Sequence, residues 1–117
     1  MFATDSLPLG EGRWTQAKLR AQGIKVHRVP DRSIDAALRN VDAVLVGADA
    51  VLPGQGIINK VGTLHLARLA RRLGIPVFVM CGKEKRMRSL SGRLNFLLAL
   101  KALDPEGNFE FCPITFL

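Results

Sequence analysis

One carboxylate and one ammonium group flank a glycine-rich segment in the middle of this 117-residue chain. Asp49 follows an apolar run, and Asn59 and Lys60 stand just before Gly62 and Thr63, where a helical pattern begins. Backbone N–H groups at the start of a helix suit a phosphate, and Lys60 would add a positive charge beside them. The spacing therefore predicts a ligand that has a phosphate at one end and hydroxyl groups near Asp49 at the other.

A purely structural role is an alternative of about equal weight for the same residues, because short motifs transfer poorly between proteins. In that role, Asn59 or Thr63 caps the helix that follows, and Asp49 is a hydrogen-bonded turn residue. Asp49 follows a strand that we expect to be buried, where a carboxylate is costly unless it is hydrogen-bonded.

Strands that alternate with helices must position these residues. The hydrophobic patterns predict strands within 2–4, 24–29, 42–48 and 75–80, and helices within 12–23, 31–40, 62–74 and 83–103. This order predicts an α/β fold with a mainly parallel sheet that is covered by helices on both faces. The segment between the strand 42–48 and the helix 62–74 is predicted to be a loop, and 108–117 is predicted to be an apolar tail that must dock.

Ligands of such sheets bind at the carboxyl ends of the strands. The residues that follow the predicted strands should therefore share one edge, and they are Asp5 and Ser6, Pro30 and Asp31, Gly47 to Asp49, and Cys81 and Gly82. Asp49 is the central one. Cys81 is a less favoured candidate for a reactive thiol, because a cysteine at a strand end is most often a small apolar residue. Cys112 lies in the apolar tail and is expected to be inert.

The charge balance admits polyanionic partners. The net charge is +7, from 17 basic and 10 acidic residues, and such a balance attracts nucleic acids, nucleotides and sugar phosphates. Basic residues cluster on one predicted helix, at Arg68, Arg71 and Arg72, and again between 83 and 93. A solvated helix face is the preferred interpretation, because no aromatic residue lies between Phe78 and Phe96 to stack on bases. A basic nucleic-acid-binding protein remains a further alternative.

Other classes of protein fit the sequence poorly. No apolar run reaches the roughly 18 residues that a membrane helix needs, and no signal peptide is evident. The two cysteines have neither metal-ligand nor redox spacing. We therefore expect a cytoplasmic protein with no cofactor, no metal ion and no membrane partner.

The central motif carries a family resemblance. The stretch "VLVGADAVLPGQGIINKVGTLHLARLARRLGIPVFV" resembles the signature region of the translation initiation factor 2B alpha/beta/delta family. That family also contains methylthioribose-1-phosphate isomerase and ribose-1,5-bisphosphate isomerase. The shared pattern is Gly-Ala-Asp at 47–49, Asn-Lys-x-Gly-Thr at 59–63 and a Pro-led strand from Pro76. Upstream, Glu11-Gly12-Arg13 is most similar to the delta-type regulatory subunits.

The resemblance implies a three-layer Rossmann-like domain, spanning residues 1–117, that dimerises. In the isomerases, the residue matching Asp49 is a catalytic acid/base, and those matching Asn59 and Lys60 bind the sugar phosphate. By the same comparison, Gly62, Thr63, Glu11 and Gly12 are candidate ligand-binding residues. An excess of leucines between 90 and 103, together with the apolar tail, also favours a two-fold homodimer burying more than about 1,000 Å².

The chain departs from the family pattern in ways that bear on function. The family's N-terminal helical domain and catalytic cysteine are absent from this sequence, Leu7 replaces an arginine, and Gly54-Gln55 replaces an Asn-Gly pair. Asp49 alone is half of an isomerase mechanism, because the reaction needs a second positioned group. The preferred prediction is a regulatory binding module with a residual site for a sugar phosphate or nucleotide. A minimal aldose–ketose isomerase is the alternative, and a separate chain could supply the helical domain.

Overall fold

The structure, a computed structural model, describes residues 1–5, 10–88, 92, 95–97, 99–100 and 104–117. Contacts divide the chain into two compact units, Met1–Val41 and Asp42–Leu117. Several residues named in the sequence analysis lie outside the described part of the chain, namely Ser6, Leu7, Leu90, Arg93, Leu94, Leu98 and Leu103.

The first unit is built on two short parallel strands. Strand β1 (Phe2–Thr4) pairs with β2 (His27–Val29), and helix α1 (Gly12–Ala21) contacts both strands. Helix α2 (Ile34–Leu38) follows a 3-10 turn. Among the described residues of the unit, the buried apolar ones are Ala3, Val26, Ile34 and Leu38. The last two belong to α2, where their i, i+4 spacing puts both on one face of the helix.

The second unit combines a parallel strand pair with an antiparallel sheet. Strands β3 (Val44–Val46) and β6 (Val77–Val79) are parallel, with Val46 opposite Val79. Strands β4 (Ala50–Leu52), β5 (Gly56–Lys60) and β7 (Phe109–Pro113) form an antiparallel sheet with β5 in the centre. Helix α3 (Thr63–Arg72) contacts β6 and β7. The prediction of an α/β fold with parallel strands is confirmed.

The predicted loop between residues 48 and 62 is a hairpin of β4 and β5 rather than an irregular loop. Pro53 and Gly54 occupy the two central positions of a tight turn, closed by a hydrogen bond from the Gln55 N–H to the Leu52 carbonyl oxygen (2.9 Å). Gly54 has a φ of +78°, which a type II turn requires at this position. The dipeptide Pro-Gly between two apolar runs is the sequence signal for this turn, whereas the strands on either side of it were not predicted. The apolar tail likewise forms a strand, β7, instead of merely docking.

Small residues let α3 approach the sheets closely. Ala67 and Ala70 are completely buried and Thr63 is nearly so, which makes an i, i+4, i+7 stripe along the helix. Leu73 continues the helical spacing of apolar residues in the sequence, but it is 48% exposed just beyond the end of the helix. The core beneath α3 is formed by Ala67 with residues of three other segments: Ala48, Ile57 and Cys112.

The described residues of the leucine-rich segment pack onto the chain's own hairpin. Gly92, 95–97 and 99–100 are helical, and Leu97 and Leu100 pack against the buried residues Leu52 and Ile58. These two leucines therefore serve the intramolecular core, which corrects the prediction that they are surplus apolar surface. No helix in the described part of the chain is both long and apolar enough to span a membrane.

One face of the parallel strand pair is exposed, although the sequence predicted burial on both faces. Val77 and Val79 pack toward α3, whereas the alternating residue Phe78 is 53% exposed. Leu45, its partner in the strand register, is 54% exposed, and Met80 beyond the strand is 65% exposed. We call Leu45, Phe78 and Met80 the exposed apolar face.

Candidate functional site

The motif Asn-Lys-x-Gly-Thr forms the junction between β5 and α3. Asn59 and Lys60 end the strand, and Thr63 is the first residue of the helix. Gly62 has a φ of +105°, a left-handed conformation that favours glycine, and its carbonyl accepts the Leu66 N–H (3.0 Å). The glycine therefore allows the chain to turn directly from the strand into the helix.

Side-chain hydrogen bonds within the motif close this turn. The Asn59 side-chain amide, through Nδ2, donates to Oγ1 of Thr63 (3.0 Å), and the Thr63 hydroxyl donates to the Lys60 carbonyl oxygen (2.8 Å). Thr63 is buried, so its hydroxyl needs these partners. The structure thus brings Asn59, Lys60, Gly62 and Thr63 together in one compact turn.

The start of α3 is capped from a distant strand. The backbone N–H groups of Gly62 (3.0 Å) and Leu64 (2.9 Å) both donate to Oε1 of Glu110 on β7. Helix α3 has no acidic residue in its own first turn, so Glu110 supplies the negative charge that the helix dipole favours there. The sequence predicted either N–H groups open to a phosphate or, in the structural alternative, a cap by Asn59 or Thr63. The capping acceptor is instead Glu110.

Strand register explains how Glu110 reaches the junction. Glu110 is the partner of Asn59 in the antiparallel pair of β7 with β5, so both side chains lie on the same face of the sheet. No local pattern around Glu110 indicates this role. The alternation of "NFEFCP" could only have shown that Glu110 and Cys112 share one face of a strand.

Asp49 lies next to β5, on the side opposite β7. Its backbone N–H donates to the Ile58 carbonyl oxygen (2.8 Å), one residue beyond the pair formed by Ala50 and Ile58. Strand β5 therefore lies between the residue Asp49 and strand β7, which carries Glu110. Asp49 is exposed, which corrects the expectation of a buried carboxylate at a strand end. Water can hydrate the carboxylate, and its location needs no structural compensation.

The predicted common edge exists within the second unit. Because β3 and β6 are parallel, the segments leading to Asp49 and to Cys81 leave their strands at the same edge. Cys81 is exposed and Cys112 is completely buried. Burial, and secondarily the negative charge of Glu110, raise the pKa of the Cys112 thiol, while Arg68 opposes the shift. Cys112 is therefore a protonated core residue, as the sequence predicted.

Glu11 and Gly12 belong to the first unit, where Gly12 has a clear structural task. Its N–H donates to the Asp5 carbonyl oxygen (3.0 Å), and a Cβ atom here would lie 1.9 Å from the carbonyl oxygen of Thr4. Glycine is thus required for α1 to pass the end of β1. Glu11 is exposed immediately before α1, and its carbonyl accepts the Trp14 N–H (3.1 Å).

The donor set is suited to polar ligands rather than to metals. Across the described ranges, no three His, Cys, Asp or Glu residues are grouped closely enough to hold a metal ion. At the β5–α3 junction, Asn59, Lys60 and the helix amides are donors, and the carboxylates of Asp49 and Glu110 are acceptors. The arrangement can bind a molecule that has both an anionic group and hydroxyl groups.

A family model matches most of the chain. Residues 1–94 match the model of the Initiation factor 2 subunit family. A search of curated protein sequences finds no match.

Solved structures share the fold. The delta subunit of the translation initiation factor eIF-2B from A. fulgidus is 24% identical, with a TM-score of 0.77 over 99% of this chain and 39% of that one. The 5-methylthioribose 1-phosphate isomerase from Pyrococcus horikoshii OT3 is 22% identical, with a TM-score of 0.77 over 99% and 38%. The eIF2B beta subunit from Chaetomium thermophilum is 21% identical, with a TM-score of 0.70 over 96% and 32%. The chain thus spans about two fifths or less of each of these proteins.

Proposed function

Because this chain belongs to the Initiation factor 2 subunit family, we propose that it is a regulatory binding module of the cytoplasmic translation machinery. In this role it associates with a second copy of itself and binds a phosphorylated sugar or nucleotide at the β5–α3 junction without converting it. A separate chain that carries a helical domain is a further proposed partner, which rests on the family resemblance.

The observation that carries the ligand proposal is the carboxylate bound at the start of α3. Two backbone N–H groups, those of Gly62 and Leu64, hold one oxygen of Glu110. This geometry supports binding of an oxyanion at the junction, because the same two N–H groups would donate to a phosphate oxygen. A phosphate that used them would displace Glu110, and the freed carboxylate would repel it if it stayed close.

The remaining groups of the junction fit the rest of such a ligand. Lys60 adds a positive charge on the residue before the helix turn, and Asn59 adds an amide. Asp49 lies on the neighbouring backbone and is exposed, so its carboxylate can accept hydrogen bonds from sugar hydroxyls. The ligand would therefore lie across β5, with its phosphate at α3 and its hydroxyls toward Asp49.

Calorimetric titration with ribose 5-phosphate and with a nucleoside monophosphate tests this arrangement. Lys60→Ala removes a charge-assisted contact of about 1.5–3 kcal/mol, which is a loss of about tenfold or more in affinity. Lys83→Ala removes the same charge from an exposed residue outside the junction and should leave the affinity unchanged. Asp49→Asn should cost less than Lys60→Ala, because an amide can still hydrogen-bond to a hydroxyl. Equal affinity of the wild type and Lys60→Ala would contradict the proposal that the junction binds the phosphate.

Self-association is supported by the exposed apolar face. Leu45, Phe78 and Met80 each have more than half of their surface exposed, and contiguous apolar surface on a folded protein commonly marks an interface. Leu45 and Phe78 are partners in the strand register, so they form one continuous patch. A two-fold contact through this patch would cover both residues on each copy.

A second candidate function is aldose–ketose isomerisation of a sugar phosphate. It is favoured by one observation, that Asp49 and Cys81 follow paired parallel strands at the same edge. Such a reaction requires a second acid/base or thiol within reach of Asp49. An activity assay tests for this reaction. The purified protein is incubated with 5-methylthioribose 1-phosphate and with ribose phosphates, and ketose formation is measured. Steady turnover that disappears in Asp49→Asn would replace the binding-module proposal with the enzyme.

A further inference from the structure

A basic surface on α3 stands apart from the β5–α3 junction. It consists of Arg68, Arg71 and Arg72 with Phe116 from the tail, and these four residues line an open depression of about 460 Å³. We call it the arginine patch. The i, i+3 and i+4 spacing puts the three arginines on one face of the helix, and all three are exposed.

The tail fixes two of these arginines. The guanidinium carbon atoms of Arg68 and Arg71 each lie 5.5 Å from the centre of the Phe116 ring, within the range of a cation–π contact. Arg71 also donates through Nη1 to the carbonyl oxygen of Thr115. The two guanidinium groups are thus preorganised, which lowers the entropy lost when they bind an anion.

The positive charge of the patch is not neutralised by nearby carboxylates. A side-chain ion pair joins Arg28 to Asp5 (3.0 Å), in the first unit, and the structure shows no ion pair between a described carboxylate and an arginine of the patch. The nearest acid on β7, Glu110, directs its carboxylate to the amides of Gly62 and Leu64 instead. The remaining N–H donors of the patch are therefore available to an external polyanion.

We propose that the arginine patch is a docking surface for single-stranded nucleic acid. Guanidinium groups hold phosphate oxygens in a bidentate manner, and their planes, like the Phe116 ring, offer stacking surfaces for bases. The depression is open and its arginines are exposed, which suits a passing strand better than an enclosed small molecule. The Phe116 ring favours a nucleic acid over an acidic peptide as the ligand, because bases can stack on the ring, whereas acidic side chains would contact only the arginines.

The position of Phe116 supplies the aromatic residue whose absence among the basic residues of the sequence had disfavoured nucleic-acid binding. No aromatic residue lies between Phe78 and Phe96 in the sequence, but the fold brings Phe116 from the tail to Arg68 and Arg71. The inference is independent of the ligand proposed for the β5–α3 junction, because no residue is shared between the two sites.

Fluorescence anisotropy of a labelled single-stranded oligonucleotide, measured over a range of salt concentrations, tests the proposal. Three phosphate contacts predict a slope of log K against log salt of about −2, and the double variant R68Q/R72Q should reduce it to about −0.7. The same variant should weaken binding at low salt by about tenfold or more. The matched control R32Q/R39Q removes two exposed arginines from the first unit and should bind like the wild type. If the double variant fails to fold, the single variant R72Q serves in its place, because the cation–π contacts with the Phe116 ring are made by Arg68 and Arg71.

The variant Phe116→Leu distinguishes the contribution of base stacking to the affinity from the contribution of the arginine charges. Leucine keeps the apolar packing of this residue against the core but removes the aromatic surface, so affinity should fall at least about fivefold with an unchanged salt slope. Three results would each overturn the proposal: no binding by the wild type at low salt, equal losses in the patch and control variants, or an equally tight complex with a poly-glutamate peptide that Phe116→Leu leaves intact. The last of these would assign the patch to an acidic protein partner.

Discussion

The carboxylate of Glu110 accepts a hydrogen bond from the backbone N–H of Leu64 (2.9 Å), across 46 residues of sequence. The same oxygen accepts the N–H of Gly62 (3.0 Å). The strand that carries Glu110 is also the neighbour of β5 in the antiparallel sheet. The tail of the chain and the start of α3 are therefore coupled, and a change at Glu110 should affect both stability and ligand binding.

Glu110→Gln should lower the free energy of unfolding by about 1–2 kcal/mol, because a neutral amide oxygen is a weaker acceptor at a helix N-terminus than a carboxylate. Urea unfolding measures this difference. Glu84→Gln removes the same charge from an exposed residue of a 3-10 turn and should have little effect. Equal stability of the two variants would mean that the cap contributes nothing.

The same substitution should raise the affinity for ribose 5-phosphate. If a phosphate displaces the Glu110 carboxylate from the Gly62 and Leu64 amides, then Glu110→Gln removes a competing negative charge. Calorimetric titration of the folded variant below its melting temperature measures the change. A lower or unchanged affinity would show that the phosphate does not use these two amides.

Phe78→Lys should weaken self-association at least about tenfold, because it buries a charge in an apolar interface. Sedimentation velocity at micromolar concentration measures the distribution of monomer and dimer. Leu73→Lys changes an equally exposed leucine at the end of α3, outside the exposed apolar face, and should leave the dimer intact. A wild-type protein that remains monomeric would rule out the homodimer.

Ionisation of Cys112 should lower the free energy of unfolding above about pH 8.5, the pKa of a free thiol. Burial raises the pKa of this thiol in the folded state, so the folded form retains the proton more tightly than the unfolded form. The contribution is fully present below the pKa of the unfolded thiol and is lost as the pH rises toward the folded pKa, at up to about 1.4 kcal/mol per pH unit.

Cys112→Ala should therefore show a shallower loss of stability than the wild type between about pH 8 and pH 10. Chemical denaturation at several pH values gives the two slopes, and Cys81→Ala, which changes the exposed cysteine, should follow the wild type. Parallel slopes for the wild type and Cys112→Ala would contradict the linkage.

Gly12→Ala should destabilise the first unit by about 2 kcal/mol or more, because the new methyl group would overlap the backbone of Thr4 and Asp5. Gly10→Ala is the matched control, since its position is open and its φ of +67° should cost only about 1 kcal/mol. Thermal unfolding compares the two. A stable Gly12→Ala protein with weakened phosphate binding would instead support the role in ligand binding that the family resemblance assigns to this residue.

The sequence by itself determined the features that depend on neighbours along the chain. The family resemblance rested on the central motif, and the family match bears it out over residues 1–94. The compact turn of Asn59 to Thr63 was predictable because its hydrogen bonds span at most four residues. The parallel strands and the start of α3 followed from hydrophobic periodicity and from Gly62, which are also local signals.

The tertiary structure decided everything that depends on strand register and on distant partners. The pairing of β7 with β5 puts Glu110 on the same face as Asn59, and a slip of one residue would turn its side chain to the opposite face. The hairpin puts Asp49 in solvent beside β5, and the tail carries Phe116 to Arg68 and Arg71. Local propensities do not specify such pairings, because their free energy comes from packing and hydrogen bonds between segments that lie far apart in the sequence.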